Sequence, residues 1–133
     1  MDELDNQILK ELEANAREPF LQIAKKLKVS EGTIRKRVGD LSKKGIIRKF
    51  TIDIAGNISA IVGIQTNPHV KTKEIVAKLK LLRVNKIFEI TGRFDILCYI
   101  SSASLEHANT LLEDIRSIDG ILHTETFTVL NEQ

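Results

Sequence analysis

Apolar residues in the first third of the chain recur every three or four positions. Leu4, Ile8, Leu9, Leu12 and Ala16 form one stripe and predict a helix over about Asp5 to Ala16. Asn15 and Arg17-Glu18-Pro19 close it, because Pro19 biases Glu18 away from helix and itself suits a new helix start. Phe20, Ile23, Ala24 and Leu27 predict a short second helix. Lys28-Val29-Ser30 is then a tight connection, with Ser30 a good N-cap. A third helix is expected over about Glu31 to Lys44, with Ile34, Val38 and Leu41 facing inward and Gly45 as its stop.

The period then changes. From Ile46 to Ile54, Phe50, Ile52 and Ile54 alternate with Lys49, Thr51 and Asp53, which predicts an extended segment. Ala55-Gly56-Asn57 breaks it, and the same turn residues are also compatible with closing a two-stranded wing. Two β-α-β halves are expected after that break. Strands are predicted over Ser59 to Thr66, Val84 to Thr91, Asp95 to Ser101 and Ile121 to Leu130. Helices are predicted over about Lys71 to Leu82, and after Ser104 with Ala108, Leu111, Leu112, Ile115 and Ile118 as its stripe. The expected class is α+β: an N-terminal three-helix helix-turn-helix domain, then a C-terminal ferredoxin-like βαββαβ domain. We divide the chain into 1–48, a hinge strand or linker at 49–58, and 59–133.

Charge sharpens this picture. Residues 1–50 carry 12 Lys+Arg against 8 Asp+Glu, whereas residues 51–133 carry 8 against 10. Between Lys25 and Lys49, ten basic residues are opposed only by Glu31 and Asp40. A basic block on a nearly neutral body is the footprint of a polyanion binder. A short helix, a tight turn and a longer basic helix make a helix-turn-helix, so double-stranded DNA is the expected partner. With Ile34, Val38 and Leu41 inward, Gly32, Arg35, Lys36 and Lys43 fall on or near the outer side. Ser30, Glu31, Gly32 and Thr33 lie at the helix start, the end that enters the major groove in this motif. Gly32 permits close backbone approach, while Lys25, Lys26, Lys28, Arg48 and Lys49 are placed to meet phosphates.

Other chemistry is thin. Cys98 is the single cysteine, which suits the cytoplasm, and His69, His107 and His123 are not spaced with it as a zinc site, so no metal is expected. A buried structural role for Cys98 is favoured over a Cys-His pair. The seven glycines are scattered and cradle no phosphate, so no cofactor is expected. The acidic start Met1-Asp2-Glu3 predicts no secretory leader, and no apolar run nears the ~20 residues of a membrane span. The βαββαβ order also fits an RNA-recognition motif, but Gly92-Arg93-Phe94-Asp95-Ile96 only faintly echoes its signature. Thr91-Gly92-Arg93-Phe94-Asp95 on its own is a β-turn with one carboxylate, where Gly92 permits positive φ and Phe94 packs. The wide apolar sheet face, with only two helices to cover it, predicts burial by a partner subunit.

Leu4-Asp5 with Ile8-Leu9, Asn15-Ala16-Arg17, Ile23-Ala24, Ser30, Thr33-Ile34, Arg37-Val38, Leu41 and Gly45-Ile46-Ile47 together resemble the start of the Lrp/AsnC, or feast/famine, family. The resemblance continues through the second half. It implies a DNA-binding transcription regulator, not an enzyme, working as dimers often assembled into octamers and modulated by an amino-acid effector. It adds Arg37 to the DNA-binding set, although the angle of Arg37 near the core edge suggests a backbone or structural role. Thr91, Gly92, Arg93, Phe94 and Asp95 resemble the family's effector loop. Thr124 and Thr126 resemble the threonines that face this loop from a neighbouring subunit. The stretch Asp53 to Ser59 is short for the family's hinge. At the level of residues two other readings stay open. One is a sequence-tolerant architectural DNA-binding protein. The other is a small-molecule-binding or enzymatic ferredoxin-like domain with a merely solvated basic face.

Overall fold

The computed structural model describes residues 1–133, and the chain forms two compact units, Met1–Asp53 and Ile54–Gln133. In the first unit, α1 spans Glu3–Ala14, α2 Phe20–Leu27 and α3 Glu31–Lys43. Helix α1 begins two residues before the start predicted at Asp5 and ends two before Ala16. The reason for the early start is a capping box: Asp2 accepts from the Asp5 backbone N–H at 2.9 Å, and the Asp5 carboxylate answers the Asp2 N–H. Helix α2 starts directly after Pro19 and ends on Lys28, which lies in the left-handed region at φ 58°. Ser30 caps α3 by accepting from the Thr33 N–H, and Gly45 takes φ 74° while the next two amides donate to the Leu41 carbonyl. Ile8, Leu12, Ile23, Ala24, Ile34 and Val38 form the core of this unit.

Residues Ile46 to Ile54 do not form a strand. Phe50, Ile52 and Ile54 alternate as predicted, yet they are exposed and no second strand pairs with them in the chain. An extended segment becomes a strand only when its amides and carbonyls find a ladder. The same absence removes the wing reading: Gly56 turns at φ 85°, but no two-stranded ribbon flanks it.

The second unit is a single antiparallel sheet of β1 (Ile58–Thr66), β2 (Lys86–Glu89), β3 (Ile96–Ser102) and β4 (Ile121–Thr128), in the order β2-β3-β1-β4. Helices α4 (Thr72–Leu81) and α5 (Leu105–Arg116) complete the βαββαβ succession. Ile75 and Leu79 of α4, with Ile115 of α5 and Ile118 beyond it, pack on Ala60, Val62, Ile64, Ile96, Cys98 and Ile100. Both helices thus bury one face. Strand β2 is half the length predicted over Val84 to Thr91. Arg83 turns at φ 61° before it, and although the Ile90 amide still donates to the opposed Asp95 carbonyl at 3.0 Å, the Asp95 amide turns away to the Ile64 carbonyl and the ladder ends.

Directly opposed residues on paired strands share a face. Phe88, Leu97 and Gly63 therefore line the face away from the helices, as do Tyr99, Ile61 and Phe127. Phe88 and Phe127 are each about half exposed there. No helix is long and apolar enough to cross a membrane.

Candidate nucleic-acid interface and effector loop

The exposed side of α3 is built from its first turn. Ser30 Oγ accepts the Thr33 amide at 3.1 Å and lies 2.8 Å from Thr33 Oγ1, so both hydroxyls are engaged at the helix start. Gly32 is exposed, and a Cβ there would meet only Ser30 Oγ at 3.9 Å. Arg35 Nη2 donates to Glu31 Oε1 at 2.7 Å, one turn back, and its guanidinium lies over the Phe20 ring at 5.6 Å. Lys36 and Lys43 are exposed and carry no ion pair.

Two basic residues turn away from this surface. Arg37 Nη1 meets Asp2 Oδ2 at 2.5 Å and Asp5 Oδ1 at 3.3 Å, tying α3 to the start of α1. The Arg37 hydrogen bond, followed by the Asp5 backbone amide, holds the Asp2 carboxyl below its usual value, and the same contacts raise Arg37. The structural role suggested by its helical angle is the one it occupies. Lys26, expected among the phosphate contacts, is instead claimed by Glu18 at 2.5 Å and Glu11 at 3.0 Å, which raise its pKa. Neither pairing is legible at short range, because the acids sit on other elements. Lys25, Lys28, Arg48 and Lys49 have no acidic partner.

The turn at 91–95 is held from three sides. Gly92 takes φ 120°, a conformation that favours glycine. Asp95 Oδ2 accepts from the Thr66 amide at 2.8 Å and from Thr66 Oγ1 at 3.1 Å, and the Asp95 amide donates to the Ile64 carbonyl. Phe94 lies flat on β1: its ring fills the place where a Cβ on Gly63 would stand, 2.6 Å from three ring carbons or nearly so. Arg93 lies over Phe94 at 5.4 Å and pairs with Glu125 at 2.6 Å, while its carbonyl accepts from Gln65 Nε2.

Thr124 and Thr126 stand opposite Ile64 and Val62, on the helix side of β4. No hydrogen bond joins either threonine to the turn within the subunit. Glu125, between them, points to the other face and meets Arg93 instead. Gly63, Gln65, Thr66 and Glu125 were thus missed by sequence reasoning. Gly63 alone carried a signal, since a glycine inside a β-branched strand marks a close approach. Cys98 is fully buried, and burial pushes its thiol up to about 11, so it is a core residue rather than a nucleophile.

Residues 1–42 match the model of the AsnC-type helix-turn-helix domain, and residues 59–133 match that of the Lrp/AsnC ligand binding domain. The chain belongs to the Lrp/AsnC family. The HTH-type transcriptional regulator LysM of Sulfurisphaera tokodaii is 43% identical over 98% of this chain and 95% of its own. Its namesake in Saccharolobus solfataricus is 41% identical over 98% and 94%. The solved structure of E. coli AsnC has a TM-score of 0.74 and 31% identity, over 99% of this chain and 93% of that one. The feast or famine regulatory protein of M. tuberculosis, solved with L-methionine, shares the fold at a TM-score of 0.81 and 23% identity, over 98% and 92%. This Lrp/AsnC protein is a transcription regulator with a DNA-binding and a ligand-binding domain, and not an enzyme.

Proposed function

We propose that this Lrp/AsnC regulator binds a pseudo-palindromic operator as a dimer or a higher assembly, inserting the first half of α3 into the major groove. The observation that carries this reading is the sorting of its cations. Lys26 and Arg37 are consumed by internal acids, whereas Lys36 in the first half of α3, Lys43 at its far end, and Lys25, Lys28, Arg48 and Lys49 on the flanking segments face solvent unpaired. Free lysines of this kind neutralise phosphates and make affinity salt-dependent. Ser30, Glu31, Gly32, Thr33 and Arg35 are then nearest the base edges, and Arg37 supports them from behind. Replacing Lys36 by Ala is expected to weaken all DNA sequences alike and to reduce the salt slope by about one. Fluorescence anisotropy over a salt series measures both, and an unchanged slope refutes the docking of this face.

The ligand-binding half is read as an amino-acid sensor. The turn Thr91–Asp95 is rigid, glycine-freed and flanked by an exposed ion pair, and the site is completed by Thr124 and Thr126 of another subunit. The half-exposed Phe88 and Phe127, on a sheet face that no helix covers, favour pairing of subunits through that face, a contact separate from the one that brings in Thr124 and Thr126, which stand on the helix side of β4. A ligand bridging subunits changes operator affinity only through its preference for one assembly over another. Isothermal calorimetry against the twenty amino acids is the test. Asp95→Ala, which frees the turn from Thr66, is expected to abolish whatever binding the wild type shows.

A further inference from the structure

Glu31, Arg35 and Phe20 form a group that docking alone does not explain. An acid at the DNA-facing start of a recognition helix is electrostatically costly beside phosphates unless it has a partner there. Glu31 has one, since Oε1 accepts from Arg35 Nη2 at 2.7 Å one helical turn away. The guanidinium is steadied a second time by the Phe20 ring, 5.6 Å below, on a different helix. An exposed arginine ordinarily samples many rotamers and loses that freedom on binding. Here two contacts hold it before DNA arrives. The ion pair uses one of the five guanidinium N–H groups, so the rest of the fork stays available. Glu31 Oε2 likewise has no partner.

We propose that Glu31 and Arg35 act as one recognition unit for a single G·C base pair in each half-site, with Phe20 as its platform. Arg35 donates its remaining fork to guanine O6 and N7, the commonest specific contact of an arginine in the major groove. Glu31 accepts from the N4 amino group of the paired cytosine. This division separates the reader from its neighbours. Lys36 and Lys43, unpaired, supply sequence-independent affinity, whereas the Glu31–Arg35 pair carries discrimination. The proposal rests on α3 docking through this face.

The test selects duplexes from a randomised library with the full-length wild-type protein, then measures wild type, Glu31→Gln, Phe20→Leu and Arg35→Ala on the selected duplex and on its single-base variants. Wild type should prefer G·C at one position per half-site by between about five- and 150-fold. Glu31→Gln should lower that preference severalfold while leaving affinity for unrelated duplex equal or higher, since a negative charge has gone. Phe20→Leu, which keeps the packing of a partly buried position, should relax the same position more weakly. Wild-type discrimination in Glu31→Gln overturns the proposal. So does a uniform loss on all sequences with the melting transition unmoved, because Arg35 is then a phosphate contact. If Arg35→Ala itself binds every duplex as wild type does, the docking reading has failed and the recognition unit with it.

Discussion

Gly63 sits mid-strand in β1 with the Phe94 ring resting on its Cα. A methyl group there would overlap the ring at 2.6 Å, and the obstacle is a seated aromatic rather than the tip of a flexible chain. Gly63→Ala should therefore destabilise the second unit by about 1–3 kcal/mol, although glycine inside a strand is ordinarily the less stable of the two. Phe94→Ala in the same chain should restore part of the loss, giving a coupling of about 0.5–3 kcal/mol in urea unfolding. Strictly additive effects would mean that the ring moves aside freely. At the other end of the chain, Asp2 is held below its ordinary value of 3.8 by Arg37 and the Asp5 amide. A carboxyl with a depressed folded pKa stabilises the fold above its unfolded value and loses that contribution as pH falls through the folded one. Asp2→Asn keeps an N-cap side chain but removes the charge. It should thus be less stable than wild type near neutral pH and converge with it only in acid, once the pH has fallen below the ordinary 3.8 and through the lowered folded value, as read by urea midpoints at each pH.

Among the elements, α3 depends most on its first residues. Ser30 satisfies the Thr33 amide and contacts the Thr33 hydroxyl, so Ser30→Ala removes the cap and leaves that hydroxyl to solvent. The expected cost is about 1 kcal/mol, seen as a lower urea midpoint without a change in m, while Ser30→Asp should be close to neutral. Equal stability of the alanine variant would show that the helix start is held by Glu31 and the core stripe alone. The helices and their caps were legible in the sequence, as Ser30, Gly45, Ser104 and the stripe Ile34-Val38-Leu41 all occupy the positions expected of them. Their signals lie within a turn or two of the residues they govern. The stretch Ile46 to Ile54 was not legible in this way. Its alternation is a true property of the sequence, but a strand also requires a partner backbone, and none stands beside it in the chain.

For the molecule as a whole, the second unit covers only one side of its sheet. The other side presents Phe88, Leu97, Tyr99, Ile61 and Phe127 around the Phe94 turn. A fragment spanning Ile54–Gln133 should therefore be at least dimeric by light scattering at tens of micromolar, on the scale of weak association. Phe88→Ser with Phe127→Ser should shift it toward monomer without lowering its helix content. A monomeric wild-type fragment would transfer assembly to some other surface. Because a palindromic operator needs a two-fold partner, the same double substitution in the full chain should weaken operator binding more than binding to a single half-site.

Apart from the extended stretch Ile46 to Ile54, the succession of helices and strands can be read along the chain, as can the helix-turn-helix, the caps, the inward stripes and the basic character of the first unit. These follow from periodicity and turn chemistry, which act between residues a few positions apart. Which charges remain free depends instead on the folded arrangement. Arg37 finds Asp2 across 35 positions, Arg93 finds Glu125 across 32, and Asp95 finds Thr66 across 29. The seating of Phe94 on Gly63 belongs to the same class. Such pairings depend on how strands register and helices cross, so the chain alone set Arg37 apart from Arg35 only by its helical angle and left Lys26 among the phosphate contacts. Packing made one a candidate reader of DNA and the other two struts of the fold.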